Sequence, residues 1–179
     1  MTKTLVVDHM KCTGCRLCEV ACSVNKNGAS NPARARIAVI GWENICLGIP
    51  MMCQQCELAP CASVCPVRAL TRDESMGRVS LSYDLCIGCK FCVSACPFGA
   101  MGIDAAARRV IKCDLCDGDP MCVKVCGTMA LQFLDESQTK MAKMRLATTG
   151  LSELIRKFAI QRDKGTIATN NTITRVKWQ

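Results

Sequence analysis

The sequence has few of the large side chains from which protein cores are usually built. Aromatic residues make up 4% of the 179 residues, and among them are only two tryptophans and one tyrosine. Because so little large apolar surface is available to bury, another kind of interaction has to stabilise the fold. The 50% of residues counted as hydrophobic include 17 cysteines, which are the candidates for that interaction.

Long apolar runs are missing as well. No stretch approaches the ~18–20 apolar residues that a membrane-spanning helix needs. Met1–Met10 has neither the apolar core of a secretory signal nor a twin arginine. We therefore expect a soluble protein without a membrane span, in a reducing compartment that is by default the cytoplasm.

The arrangement of the cysteines argues against disulfides. A disulfide framework in a small secreted domain uses an even number of cysteines, whereas the number here is odd. Sixteen of the 17 cysteines fall into four compact quartets. The quartets are, in order, Cys12, Cys15, Cys18 and Cys22; Cys53, Cys56, Cys61 and Cys65; Cys86, Cys89, Cys92 and Cys96; and Cys113, Cys116, Cys122 and Cys126.

The spacing within the quartets is typical of iron–sulfur clusters. Quartets one and three read C-x2-C-x2-C-x3-C, while quartets two and four have four and five residues in the middle gap. Cysteines separated by two residues can wrap around a 4Fe–4S cluster, and in two-cluster ferredoxins the fourth cysteine binds the other cluster. Zinc sites are the alternative, but they use two C-x2-C pairs a dozen or more residues apart. The sequence thus predicts four 4Fe–4S clusters as cofactors.

A longer repeat surrounds the quartets. The last cysteines of quartets two, three and four each begin a shared pattern, Cys-x3-Ala followed by Leu or Met. Leu5–Val7 and residues 79–83 read as strands before quartets one and three, and Gly77 suits a turn before the second of these strands. Each unit is predicted to run strand, cluster loop, short helix, strand, with the helix beginning at the fourth cysteine.

If the fourth cysteine of each quartet binds the cluster of another quartet, the four quartets must form two pairs. Pro66 and Pro97 follow the last cysteines of quartets two and three and suit the first turn of a helix, whereas Ser23 and Gly127 follow those of quartets one and four. If the two quartets followed by proline pair with each other, quartet two pairs with three and quartet one with four. In sequence, the unit formed by quartets two and three then lies between the two halves of the other unit. The predicted ligand sets are site A (Cys12, Cys15, Cys18, Cys126), site B (Cys22, Cys113, Cys116, Cys122), site C (Cys53, Cys56, Cys61, Cys96) and site D (Cys65, Cys86, Cys89, Cys92).

The charge divides between a body and a tail. Residues 1–134 contain 14 basic and 11 acidic residues, and residues 135–179 contain 9 and 4. A bound 4Fe–4S cluster with its four thiolates carries about −2, so four clusters would bring the formal charge of +8 to roughly zero. Nucleic-acid binding is the competing interpretation of the basic balance, but no stacking motif or helix-turn-helix signal supports it.

The predicted fold class is α+β, with two nested bacterial-ferredoxin-like dicluster units of the βαβ type over residues 1–134. A mostly helical tail is expected over residues 135–179. Its Leu151, Leu154, Ile155 and Phe158 follow the spacing of an amphipathic helix. We expect this tail to serve assembly, either with another subunit or between copies of the chain.

Several residues near the quartets have more than one interpretation. Gly14 and Gly88, inside cysteine loops, can let backbone N–H groups approach sulfur. Cys46 is predicted to be a buried structural thiol, and His9 a packed or surface residue rather than a ligand. The basic residues beside the loops either raise cluster potentials or are simply solvated; they are Lys11, Arg16, Lys90 and Lys112. The inserted loops 57–60 and 117–121 either contact a partner or shield a cluster.

These motifs resemble the four-cluster iron–sulfur subunits of molybdenum- and tungsten-pterin oxidoreductases. The strings Lys11–Arg16, Cys53–Cys61 and Lys112–Pro120 look closest to the small subunit that accompanies tungsten-dependent aldehyde oxidoreductases. The resemblance covers residues 1–134, and the tail departs from it. It implies a subunit that makes no bond in the substrate and conducts electrons between a pterin-containing catalytic subunit and an acceptor.

We therefore expect a non-catalytic electron-transfer subunit whose catalytic partner oxidises aldehydes. Its acceptor would be a flavin- or NAD-reducing subunit or a ferredoxin. A subunit of a hydrogenase, formate dehydrogenase or carbon monoxide dehydrogenase is one alternative, and a free-standing polyferredoxin is another. A radical or dehydratase enzyme is disfavoured, because such enzymes leave one iron without a protein ligand and all four quartets here are complete.

Overall fold

The computed structural model describes residues 3–42, 47–135 and 137–140, all within one compact unit, Met1–Lys143. Cys46 and the predicted amphipathic stripe of the tail lie outside these residues, although residues 137–140 are helical. Among the described residues, no helix is both long and apolar enough to span a membrane. The strands are β1 (Lys3–Val7), β2 (Ile37–Trp42), β3 (Leu47–Met52), β4 (Leu70–Asp73), β5 (Arg78–Leu81), β6 (Gly102–Asp104), β7 (Arg109–Ile111) and β8 (Leu131–Asp135), and the helices are α1 (Leu17–Asn27), α2 (Pro60–Ser63), α3 (Phe91–Ala95) and α4 (Met121–Lys124).

The predicted order of strand, cysteine loop, helix and strand is confirmed in all four repeats. The predicted start of the helix was wrong. Each helix begins one residue before the third cysteine of its quartet, so about one helical turn separates the third cysteine from the fourth. Pro60 occupies the first turn of α2, whereas Pro66 and Pro97 lie in turns beyond the helices.

The described strands form four two-stranded antiparallel sheets, which pair β1 with β8, β2 with β3, β4 with β5 and β6 with β7. The strands before and after each helix belong to different sheets, so the parallel pairing of a βαβ unit is absent among the described residues. Gly77 adopts a φ of 60° between β4 and β5, as the turn prediction required. The β1–β8 pair, with Leu5 opposite Phe133, brings quartets one and four together although about a hundred residues separate them.

Two hydrophobic cores build the body, and cysteines belong to both. The first joins segments around quartets one and four with the β2–β3 hairpin; its buried members are Cys18, Cys22, Ile37, Val39, Met52, Cys122 and Leu131. The second joins segments around quartets two and three; its buried members are Ala59, Cys61, Leu70, Val79, Cys92, Met101 and Val110. Correspondingly, α1 packs on α4 and α2 packs on α3.

Helix α1 positions the β2–β3 hairpin. The helix ends at Gly28, which adopts a φ of 70° and donates its N–H to the carbonyl of Val24 at 2.8 Å. The carboxylate of the buried Glu19 accepts a hydrogen bond from the N–H of Val39 in β2 at 2.5 Å. This bond fixes the hairpin against the helix that carries two cysteines of quartet one.

Candidate iron–sulfur cluster sites

Three cavities are each lined by four cysteines, three from one quartet and one from another. Cys22 joins Cys113, Cys116 and Cys122 around one cavity. The cysteines around a second cavity are Cys12, Cys15, Cys18 and Cys126. Those around a third are Cys65, Cys86, Cys89 and Cys92. The structure thus brings together the cysteines named for sites B, A and D, in that order.

The cysteines of site C are also near one another. Burial raises the pKa of the Cys61 thiol, and the neighbouring thiols of Cys53 and Cys96 raise it further. Cys96 comes from quartet three, whereas the other two come from quartet two. Cys61 belongs to the second core, and Cys56 and Cys96 pack against it. The thiols near Cys61 therefore come from two quartets, as they do at the other sites.

The third cysteine of each quartet is buried, and the exposed thiols are in the loops. Cys18, Cys61, Cys92 and Cys122 are buried, whereas Cys15 and Cys89 are exposed. Burial raises the pKa of Cys18 to about 11 and that of Cys122 to about 12. Thiols with such values are protonated at neutral pH, so binding of iron as a thiolate complex must displace their protons.

Backbone N–H groups point at the fourth cysteine of several quartets. Ala69 donates to the Sγ of Cys65 at 3.2 Å, and Ala100 donates to the Sγ of Cys96 at 3.4 Å. These bonds explain the spacing of the repeat, because the donor is the fourth residue after the cysteine. The small side chain fits its burial, since Ala69 and Ala130 are each 1% exposed. Burial disfavours the Cys65 thiolate, but the N–H groups that follow it outweigh burial and lower the pKa of Cys65.

The cysteine loops contain many residues with positive φ. Gly14 and Gly88 have φ values of 72° and 70°, and the residues that precede α1 and α3, Arg16 and Lys90, have values of 59° and 67°. The glycines adopt this conformation without steric cost. This backbone turns the loops of quartets one and three around their cavities, and residues with side chains share the positive φ with the two glycines.

A charged cluster holds the loop of quartet four. Asp114 accepts from Lys26 at 2.8 Å and from Arg36 at 2.6 Å, and these cations hold the pKa of that half-buried carboxyl below its usual range, against the effect of burial. Arg78 of β5 donates to the backbone carbonyl of Asp114 at 2.8 Å and to the carboxylate of Asp117 at 2.5 Å. The inserted loop of quartet four is thus tied to the rest of the body.

Other sequence candidates have different surroundings. The inserted loop of quartet two exposes 90% of Leu58, so this side chain does not shield a cluster. His9 lies in a short 3-10 turn and is partly exposed. Within the part of the chain that the structure describes, no three or more His, Cys, Asp or Glu side chains are arranged around a single metal ion.

Comparison with known proteins identifies the family. Residues 45–136 match the 4Fe–4S dicluster domain family, and residues 9–25 match a 4Fe–4S binding domain. The chain is 41% identical over 157 residues to YsaA of Escherichia coli strain K12, a candidate electron transport protein, covering 81% of this chain and 98% of that one. It is 40% identical to the electron transport protein HydN of the same strain, covering 77% and 91%.

A third relative is a subunit of a named oxidoreductase. The polyferredoxin-like subunit of an aliphatic sulfonate oxidoreductase from Pyrococcus furiosus is 43% identical over 123 residues, which cover 68% of this chain and 70% of that one. These matches define the protein as a 4Fe–4S ferredoxin-like electron-transfer protein. The chain belongs to the 4Fe–4S dicluster domain family, which decides between iron–sulfur and zinc. Like the relatives named here, it is a non-catalytic electron carrier.

Proposed function

We propose that sites A to D each hold one 4Fe–4S cluster and that the chain relays single electrons between a catalytic subunit and an acceptor. The observation that carries the proposal is the grouping of cysteines, since four thiols from two quartets surround each of three cavities and the thiols of Cys53 and Cys96 lie near Cys61. Such a bound cluster accepts and releases one electron at a time.

The residues around the sites fit this cofactor. Four cysteine sulfurs are the ligand set of a 4Fe–4S cluster, and in each set three come from one quartet. The N–H groups of Ala69, Ala100 and Arg36 donate to cysteine sulfurs at 3.2, 3.4 and 3.3 Å. Hydrogen bonds of this kind orient the ligands and stabilise the extra negative charge that reduction adds.

The neighbouring thiols give the sites a linear order. Cys122 of site B is close enough to Cys18 of site A for their charges to interact. Cys113 of site B interacts in the same way with Cys53 of site C. Cys92 of site D interacts with Cys61 of site C. The order is therefore A, B, C, D, which supports a conducting path through two nested dicluster units.

The two ends of this order are the places where a partner can approach. Cys15 of site A and Cys89 of site D are the exposed cysteines among the sixteen, whereas those of sites B and C are partly or fully buried. Electron transfer to another protein needs a short distance between redox centres. Sites A and D therefore serve as entry and exit, and sites B and C connect them.

The partner is proposed to be the catalytic subunit of an oxidoreductase complex that contains a pterin cofactor. The named relatives include the polyferredoxin-like subunit of a sulfonate oxidoreductase and electron transport proteins. These names support a role in an oxidoreductase complex, and the pterin cofactor of the partner stays a prediction. The tungsten-dependent, aldehyde-oxidising partner stays a prediction. So do the cytoplasmic location, the acceptor and the assembly role of residues 135–179.

The proposal is tested on protein purified anaerobically from its native host together with the chains that co-purify. About sixteen irons and as much acid-labile sulfide per chain are expected, with four one-electron couples in an EPR-monitored redox titration. A co-purifying subunit with molybdenum or tungsten would name the class of partner. About eight irons would reject the four-site assignment, and zinc without sulfide would reject electron transfer.

A further inference from the structure

Lys112 is a buried cation between two of the sites. It follows β7 directly and precedes Cys113, the first cysteine of quartet four. Only 3% of its surface is exposed. A lysine is almost never buried this completely unless something compensates its charge.

The contacts of Lys112 place its ammonium group at the junction of sites B and C. Its Nζ donates to the Oε1 of Gln55 at 3.0 Å and to the backbone carbonyl of Cys113 at 3.0 Å. Gln55 lies between Cys53 and Cys56 in the loop of site C. Its Oε1 also accepts from the N–H of Val79 at 2.9 Å, and its Nε2 donates to the carbonyl of Cys113 at 2.9 Å. Gln55 thus fixes the ammonium between both cysteine loops.

Among the residues that the structure describes, no carboxylate compensates this cation. Within the described ranges, Lys112 forms no ion pair, whereas Lys26 and Arg36 share Asp114, and Lys11 pairs with Asp8 at 3.3 Å. The ammonium group of Lys112 lies between cysteine loops on both sides. It contacts the backbone of Cys113 in site B and the side chain of Gln55, which stands between two cysteines of site C. The negative ligand sets of the two sites are therefore the natural counter-charge.

We propose that Lys112 is a positioning residue that raises the reduction potentials of sites B and C together, relative to sites A and D. This inference rests on the proposed function, because it requires clusters at these sites. Reduction adds one negative charge to a site, and a fixed cation in a poorly solvated environment stabilises that charge. Lys112 is one residue, yet it acts on two sites.

The position explains why one cation serves both sites. Sites A and B exchange cysteines within the first core, and sites C and D within the second, so transfer from B to C is the step that crosses between cores. A cation placed between B and C raises both potentials in the same direction. It therefore favours the electron at the junction without favouring one of the two sites over the other.

The test compares Lys112→Gln with Lys11→Gln in the full-length, cluster-loaded protein. Lys11 also precedes the first cysteine of a quartet, but its side chain is exposed and paired with Asp8. In an EPR-monitored redox titration, Lys112→Gln should lower two of the four couples, each by about tenfold in its reduction equilibrium, or ~59 mV for one electron. Lys11→Gln should leave all four couples nearly unchanged, and Lys112→Arg should restore most of the loss.

A second variant keeps the lysine and neutralises it. Gln55→Glu places a carboxylate beside Nζ and should lower the same two couples, so the test stands even if Lys112→Gln loads poorly. Unchanged couples, or an equal shift of all four, in a variant that retains about sixteen irons would overturn the role of Lys112. Wild-type protein without four couples would instead overturn the proposed function, and iron content distinguishes the two failures.

Discussion

Gly48 of β3 lies directly against Gly14 of the first cysteine loop. A Cβ added to Gly48 would lie 2.8 Å from the Cα of Gly14, 2.9 Å from its nitrogen and 3.1 Å from the Sγ of Cys12. Its partner across the hairpin, Gly41, has open space at the same position. The β2–β3 hairpin therefore covers the loop of site A, and the contact leaves no room for a side chain at Gly48.

We expect Gly48→Ala to displace this loop and weaken binding at site A. The clash is with backbone rather than with a flexible side chain, and overpacking of this kind costs about 1–3 kcal/mol. The variant should retain about twelve of sixteen irons, with the signal of site A lost. Gly41→Ala is the matched control and should retain them all; equal iron contents in the two variants would contradict the packing argument.

The exchange of fourth cysteines is tested by matching variants to sites. Cys22→Ser should lose the same EPR signal as Cys116→Ser, because both cysteines line the cavity of site B. Cys126→Ser should lose the signal that Cys15→Ser loses, because both line the cavity of site A. If Cys22→Ser instead matched Cys15→Ser, each quartet would bind its own cluster and the pairing would be wrong.

We expect Thr128 to tune the potential of site A through the sulfur of Cys126. Its Oγ1 lies 3.7 Å from that sulfur, and the hydroxyl helps to lower the pKa of Cys126, together with backbone N–H groups and against burial. Thr128→Val removes a bond worth about 0.5–1.5 kcal/mol, which is about 20–60 mV for one electron. A redox titration should show the potential of site A lowered by this amount, and Thr128→Ser should keep the original value.

Arg34 and Asp104 join the segments around quartets one and three. Arg34 donates to the Oδ2 of Asp104 through Nη2 at 2.6 Å and through Nε at 2.8 Å, and the carboxylate is 1% exposed. Asp104→Asn should lower the temperature at which the visible absorbance of the bound clusters is lost. Glu74→Gln removes a pair whose carboxylate is 78% exposed and should have little effect. If the two variants lowered this temperature equally, the burial of Asp104 would not explain its contribution to stability.

The pH dependence of this pair follows from the pKa of Asp104. The N–H of Ala107 and the guanidinium of Arg34 outweigh burial and lower that pKa. A lowered carboxyl pKa stabilises the fold above the unfolded value of about 3.9 and loses its effect as pH falls through the folded value. The difference between wild type and Asp104→Asn should therefore be constant from about pH 6 to 8 and shrink only toward pH 4.

Some features were missed because the spacing of residues along the sequence does not show which distant residues come into contact. The helix start was misplaced, since the pattern does not show which cysteine the helix contains. The Cys-x3-Ala repeat was visible, but neither the N–H of Ala69 that donates to Cys65 nor the burial of the Ala69 side chain follows from spacing, because both depend on how the chain turns. Lys112 and Lys11 look alike in sequence, yet one is buried and the other is exposed.

The sequence by itself determined the ligand type, the four quartets, the repeated order of strand, loop, helix and strand, and the family. Local spacing decides these features, because two or three intervening residues set which groups a short segment can direct to one place. The pairing of distant quartets was predicted from the residues that follow the fourth cysteines, and three of the four predicted sets line a common cavity. Tertiary structure alone decided which lysine is buried between two sites and that a glycine on β3 must face Gly14. These depend on contacts between residues far apart in the chain, which the packing of the two cores creates.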